Sequence, residues 1–205
     1  SSTCKRVWID ETYIEYAGAE HSLESFAVQS ENVIVCKSMS KVYALSGLRA
    51  AYLCASPHQL EELRVITPPW SVSLPAQIAA TYALHAKDYY AMRYWETKEL
   101  REKLVQELYT MGITEIIPGI ANFVMFHLPE TMDTAESIVK TCRDQGLFLR
   151  NVAGMGSEVG RRAMRMAVKD EETNNRMLEI FRTTINQTSS IPRKNEIHEP
   201  IFTSY

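Results

Sequence analysis

Residues 32–49 read NVIVCKSMSKVYALSGLR, and the change of character inside this stretch decides the fold. Val33, Ile34 and Val35 are consecutive, as expected of a strand covered on both faces in a parallel sheet. The apolar run stops, and the next dozen residues bring Ser38, Ser40, Lys41 and Arg49. Open α/β sheets bind their ligands beyond the carboxyl ends of the strands. A lysine desolvated there serves as a nucleophile toward carbonyl compounds. Two hydroxyls and a planar guanidinium suit an anion, so the stretch reads as a phosphate site beside a reactive amine. The serines also fit the cap of a helix starting near Val42, whose N-terminus would attract the same anion.

Working outward, Lys5 and Arg6 lead into VWIDETYIEY, a strand ending near Asp10-Glu11, and a short helix is expected at 24–27. LRAAYLCAS (48–56) is a third apolar run, closed by Pro57 before the helical pattern HQLEELRVI. Strands spaced in this way predict an α/β fold with a mostly parallel sheet. Pro68-Pro69 then break the chain. From Leu74 to about Met111 the pattern is that of one long helix stopped by Gly112, long enough to run between two domains. Beyond it, ANFVMFHL (121–128) and GLFLRNV (146–152) read as strands flanking a helix over 132–145. AMRMAV (163–168) alternates, and EETNNRMLEIFRTTI closes as a helix, giving this block α+β character. The end from Thr188 has two prolines and no period, and is expected to be extended. The expected divisions are therefore 1–85, 86–187 and 188–205.

The chain has 205 residues, 45% of them apolar, a formal charge of -3 and a pI near 6.0. No basic block suggests nucleic acid, and the partner is expected to be a small molecule. No run approaches a membrane-spanning length and SSTCKRVWID lacks the order of a signal peptide, so a soluble, cytoplasmic protein is expected. Cys4, Cys36, Cys54 and Cys142 form no C-x-x-C pair, and none of the five histidines pair at helical ligand spacing, so no metal is expected.

Several other residues carry chemistry. Asp10 and Tyr13 end the first strand, where a carboxylate can keep a cofactor's pyridine nitrogen protonated and a phenol can reach its hydroxyl. Arg165 lies in an alternating strand, an unusual place for an unpaired charge, whereas Arg161 and Arg162 read as a solvated basic face. Ser38 to Lys41 satisfies S-x-x-K, but the S-D-N and K-T-G partners of β-lactamases are missing. GMGSEVG (154–160) misses the dinucleotide fingerprint by one place and reads as a loop.

WIDETYIEYAG followed by VIVCKSMSKVYALSGLRAAYL resembles the fold-type I pyridoxal-phosphate-dependent aminotransferases of class I/II. It is nearest the histidinol-phosphate aminotransferase and threonine-phosphate decarboxylase branch. The resemblance runs on through PPWSVSLPAQIAATYAL, the ANF strand and FLRNVAGMG to AMRMAVKDEETNNRML, covering nearly all of residues 6–186. It implies the C-terminal part of the large domain plus a small α+β domain, with pyridoxal 5'-phosphate as cofactor. Lys41 resembles the Schiff-base lysine, Asp10 the pyridinium partner, Tyr13 the contact to the phenolic oxygen, and Ser38, Ser40 and Arg49 the phosphate ligands. Arg165 matches the arginine for the substrate's carboxylate or phosphate, Arg150 a second anion contact, and Asn122 a weaker carry-over.

The family's upstream phosphate loop, stacking aromatic and N-P-x-G-like asparagine have no counterpart before the first strand, so a fragment of a longer enzyme is expected. The resemblance further implies a homodimer, an amino donor and a keto-acid acceptor. Family frequency favours an aminotransferase, PPWSVS leans toward the decarboxylase branch, and a non-catalytic remnant or partner subunit is the reading of another class.

Overall fold

In the computed structural model, which describes residues 6–156, 160 and 162–189, the first strand β1 (Val7–Asp10) leads through helix α1 (Glu24–Gln29) into β2 (Val33–Ser38). The two strands run parallel with Asp10 opposite Cys36, and Val33, Ile34 and Val35 are buried as their sequence requires. Strand β3 (Ala51–Cys54) pairs with β2 antiparallel, so the order is β1-β2-β3. The expectation of a mostly parallel sheet is thereby corrected: this sheet is mixed. The short 39–50 connection returns the chain directly beside β2, and a parallel neighbour would need a long crossover.

Helix α2 (Pro57–Ile66) begins with Pro57 at its first position, where the missing N–H costs nothing. Its buried Gln59 donates to the carbonyls of Ser30 (2.9 Å) and Val33 (3.2 Å), tying the helix to the start of β2. The expected single helix from Leu74 to Met111 is two: α3 (Leu74–His85) and α4 (Lys87–Thr110). They part at Ala86, whose ψ of 48° leaves the helical range while its N–H is shared between Tyr82 and Ala83 carbonyls. Ser73 caps α3 through Ala76 N, and Gly112, at φ 82°, ends α4 in the left-handed conformation that glycine tolerates. No helix with a Val42 start exists: residues 39–43 are turns, followed by a 3-10 turn at Ser46–Leu48.

The described residues divide into two compact units. The first runs to Glu102 and includes Gly119–Asn122; the second holds Lys103–Pro118 and the chain from Phe123 onward. The second unit's sheet comprises β4 (Ile116–Ile117), β5 (Phe123–His127), β6 (Arg150–Asn151) and β7 (Ala163–Ala167), with helices α5 (Ala135–Asp144) and α6 (Glu171–Ser189). Its order is β4-β5-β7-β6, every neighbouring pair antiparallel. Val124, Phe126, Met164 and Met166 alternate inward and meet Ile138, Cys142 and Phe181; the Phe126 and Phe181 rings meet edge to face at 5.9 Å. The expected strand over 146–152 shrinks to Arg150–Asn151, and the end beyond Ser189 lies outside the described residues. Among the described residues no helix is long and apolar enough to cross a membrane.

Candidate active site

The register of β1 and β2 sorts the chemistry of the first unit onto two faces. Partners in a pleated pair share a face and successive residues alternate. Asp10, opposite Cys36, therefore shares a face with Cys36 and Ser38, while Lys37 and the following Glu11 take the other. Burial pushes the Cys36 thiol up, and the Asp10 charge beside it adds to the shift. Both Asp10 and Ser38 stand at the carboxyl ends of their strands, where an α/β sheet receives a ligand.

Asp10 is exposed, and its Oδ1 accepts from Thr12 N at 2.9 Å and from the Thr12 hydroxyl. Tyr13, half-buried, opens the 3-10 turn Ile14–Tyr16. On the second loop Ser38 Oγ accepts from Ser40 N at 3.4 Å, and Met39 N donates to Ala50 O at 3.1 Å. Lys41 is exposed, and among the described residues no carboxylate lies within ion-pair distance of it. Arg49 donates Nη1 to Ser46 O at 2.9 Å.

Ala44 and Arg49 both hold φ 56°, the left-handed region that costs a non-glycine residue about 1–2 kcal/mol. Two such residues within one short loop mean that surrounding contacts impose its shape, as happens at ligand clamps. Buried Met39 supplies the anchor: it packs with Ala50, Ala76 and Ala83, flanked by Tyr43 and Leu45 from the same loop. The loop is thus a rigid hydroxyl-amine-guanidinium array.

The opposite face holds groups that the sequence patterns do not single out. Lys37 is buried, with its Nζ 2.8 Å from Glu15 Oε1, 3.2 Å from Glu11 Oε2 and 3.7 Å from Glu24 Oε1. Burial raises the Glu11 carboxyl, but hydrogen bonds from Leu23 N (2.7 Å), the Ser22 hydroxyl (2.7 Å) and Lys37 outweigh it and hold Glu11 below the usual carboxylate range. Burial likewise opposes the Lys37 charge, and Glu15, Glu24 and Glu11 overturn that, raising the ammonium above its ordinary value. Tyr52, opposite Lys37 on β3, donates to Glu24 at 2.8 Å; burial and Glu24 push its phenol far up. A lysine inside the apolar run VIVCKS is the available signal, by the same reasoning applied to Arg165.

A cleft of about 590 Å³ opens on this second face, lined by Glu15, Tyr43, Tyr52, Tyr90 and Tyr94 among others. Neither Lys41, Asp10, Ser38, Ser40 nor Arg49 lines it, so the strand ends mark the candidate site better than the cleft does. Among the described residues no cluster of three His, Cys, Asp or Glu is arranged to hold a metal.

In the second unit Arg165 pairs directly across the strands with Arg150. Like charges so placed repel by about 0.2–1 kcal/mol unless an anion lies between them. The Arg165 guanidinium lies 4.4 Å from the Phe123 ring centroid, which steadies it. Asn122 belongs to the first unit, in the bend just before β5. Arg162 corrects its expected place on a solvated face: it donates Nε to Leu128 O (2.9 Å) and Nη2 toward Pro129 O (2.7 Å), Met132 O (2.5 Å) and Asp133 O (3.0 Å). Arg161 and most of GMGSEVG lie outside the described residues.

The family model for aminotransferase class I and II matches residues 3–181. The chain belongs to this family. A histidinol-phosphate aminotransferase of Rhodopseudomonas palustris (strain BisA53) is 28% identical over 178 residues, 85% of this chain and 47% of that one. The histidinol-phosphate aminotransferase of Clostridium acetobutylicum superposes with a TM-score of 0.81 at 22% identity, covering 89% of this chain and 55% of that one. That of Sinorhizobium meliloti, solved in complex with pyridoxal-5'-phosphate, gives 0.78 at 22% identity, covering 89% and 49%. At these identities the structures show a shared fold. The chain spans about half the length of the curated relatives it matches.

Proposed function

We propose that this chain carries the cofactor anchor and the substrate-anion contacts of a pyridoxal-phosphate-dependent aminotransferase acting on an amino acid or phosphorylated amino compound, as histidinol-phosphate aminotransferases do. The observation that carries the reading is the register placing Asp10 and Ser38 on one face at one end of β1 and β2, with the Ser38–Arg49 loop rising from that end. The donor set fits the cofactor's parts. An exposed amine without a carboxylate neighbour suits the aldehyde, an exposed carboxylate the pyridine nitrogen, and two hydroxyls with a guanidinium the phosphate. When bound, pyridoxal phosphate supplies an electron sink for the bonds at the amino donor's α-carbon.

The rest is the work of this chain's residues. Lys41 Nζ holds the cofactor and, once released by the incoming amine, carries the proton to and from the substrate carbon. Asp10 keeps the ring nitrogen protonated, and Tyr13 donates to the ring oxygen. Ser38, Ser40 and Arg49 hold the phosphate. Arg150 and Arg165 bind the substrate's carboxylate or phosphate, which resolves their cross-strand repulsion, and Asn122 is a further substrate contact. Residues up to about 85 then belong to the large cofactor domain, 86–187 to the connecting helices and small domain, and the working protein is a cytoplasmic homodimer with a keto acid as acceptor.

The test adds pyridoxal phosphate to the chain, alone and mixed with a polypeptide matching the remaining half of a relative. The absorbance of lysine-bound cofactor is expected in at least one case and absent from Lys41→Ala. Its absence throughout refutes the catalytic reading. Carbon dioxide release from a phosphorylated amino acid, in place of amino transfer, would move the chain to the decarboxylase branch.

A further inference from the structure

The two loops bearing the candidate cofactor residues leave the sheet together and, among the described residues, share no backbone pairing beyond Glu11 N to Cys36 O at 2.9 Å. Asp10 and Tyr13 ride on the first, and Ser38 to Arg49 on the second. What joins them past that point lies on the reverse face. Lys37, one residue before Ser38, contacts Glu11, one residue after Asp10, and Glu15, two residues after Tyr13. It also reaches Glu24 on α1, which accepts from Tyr52 on β3. One ammonium thus links the first loop, α1 and β2, and through Glu24 also β3, from a position four residues before Lys41.

Resting on the proposed function, we propose that Lys37 is a positioning residue for the cofactor site: its buried contacts with Glu11, Glu15 and Glu24 fix the 10–15 and 38–50 loops relative to each other, and so set where Asp10 and Lys41 stand. Its geometry is unlike that of a surface pair. Lys37 and Glu11 retain only 5% and 4% of their side-chain exposure, so water cannot replace a lost contact. The contacts also converge on one donor, so removing it frees both loops at once. Without that donor, the left-handed residues Ala44 and Arg49 would relax toward ordinary backbone, because their strain persists only while the surroundings enforce it.

Residue-resolved amide exchange on the full chain decides this without cofactor. In Lys37→Met the Met39 and Leu45 amides, which bond Ala50 O and Met39 O, are expected to exchange at least about tenfold faster, while Val124 and Phe126 in the second unit hold their rates. Glu15→Gln, milder and safer for folding, is expected to give a smaller rise at the same amides. Lys37→Arg is expected to restore the wild-type pattern, because a guanidinium can span the same carboxylates. Unchanged loop exchange in both Lys37→Met and Glu15→Gln overturns the proposal, as does an equal rise through the β2 amides at Val33 to Val35. If Lys37→Met fails to fold, Glu15→Gln alone decides by the same criterion. The cofactor absorbance is read in parallel: its absence from wild type counts against the proposed function, and the exchange result still decides the role of Lys37.

Discussion

Replacing Arg162 by methionine tests whether the start of β7 is held by a clamp or by nothing. The guanidinium faces four carbonyls, but three are served by Nη2, which has two hydrogens, so at most three N–H groups bond at once. Charged hydrogen bonds contribute about 1.5–3 kcal/mol each when buried, and these are half-buried beside the exposed Glu130 and Thr131. Discounting to about 1 kcal/mol per donor gives about 2–3 kcal/mol for Arg162→Met. That corresponds to a fall of roughly 10–20 °C in the melting temperature of a unit near 100 residues. Trp8, Trp70 and Trp95 all lie in the first unit, so tryptophan fluorescence reports that unit while the circular dichroism loss reports both. The dichroism transition should split, with the fluorescence transition unmoved. Arg162→Lys keeps the charge without the planar fork and should recover less than half. A shift under about 0.5 kcal/mol for Arg162→Met would mean that the four contacts carry no stability, and full recovery by lysine would mean that charge alone matters.

Three further outcomes are expected. Inorganic phosphate should raise the melting temperature of wild type, and Arg150→Ala should abolish that gain while being neutral or slightly stabilising without phosphate, since a cross-strand repulsion of about 0.2–1 kcal/mol is removed. The acid limb of the stability curve should carry Glu11: with its carboxyl held below 4.5 in the fold, its contribution is present above 4.5 and lost as pH falls through the folded value, so Glu11→Gln should flatten that limb in acid titration of unfolding. Lys37 works in the opposite sense: raised above 10.5, it contributes below 10.5 and loses that contribution as pH climbs through the folded value. Phe181→Ala should cost the second unit about 3–5 kcal/mol in denaturant unfolding, because the ring is fully buried against Phe126.

How much of this was legible in the sequence depends on which physical signal each element carries. The consecutive valines and isoleucine of β2 announce themselves, and so do the amphipathic α5 and α6, because burial of a whole strand or stripe shows in composition. The break at Ala86 does not, since neither glycine nor proline marks it and the helical propensity around it is high. The antiparallel β3 was hidden for a different reason: strand direction is set by the connection length, and the Ser46–Leu48 turn that shortens the connection has no period to read. Arg162 shows the same limit for side chains. Its partners are backbone carbonyls some 30 residues upstream, and no residue type there advertises an acceptor.

The two lysines of KSMSK make the sharper case. Chemistry-bearing residues at the strand end select Lys41, and the structure leaves it exposed at that end. Four positions earlier, Lys37 is buried among three carboxylates because it falls on the other side of the β2 alternation. The parity that sends Asp10 and Ser38 toward one face sends Glu11, Lys37 and Tyr52 toward the other, so one register fixes both sets. A one-residue slip between β1 and β2 would exchange Asp10 for Glu11 beside the serines and strand Lys37 without its nearest acids. The buried ion cluster therefore penalises the one misregistration that an apolar strand pair with Val, Ile and Val in sequence would otherwise tolerate, and in doing so it protects the arrangement on which the anchor depends.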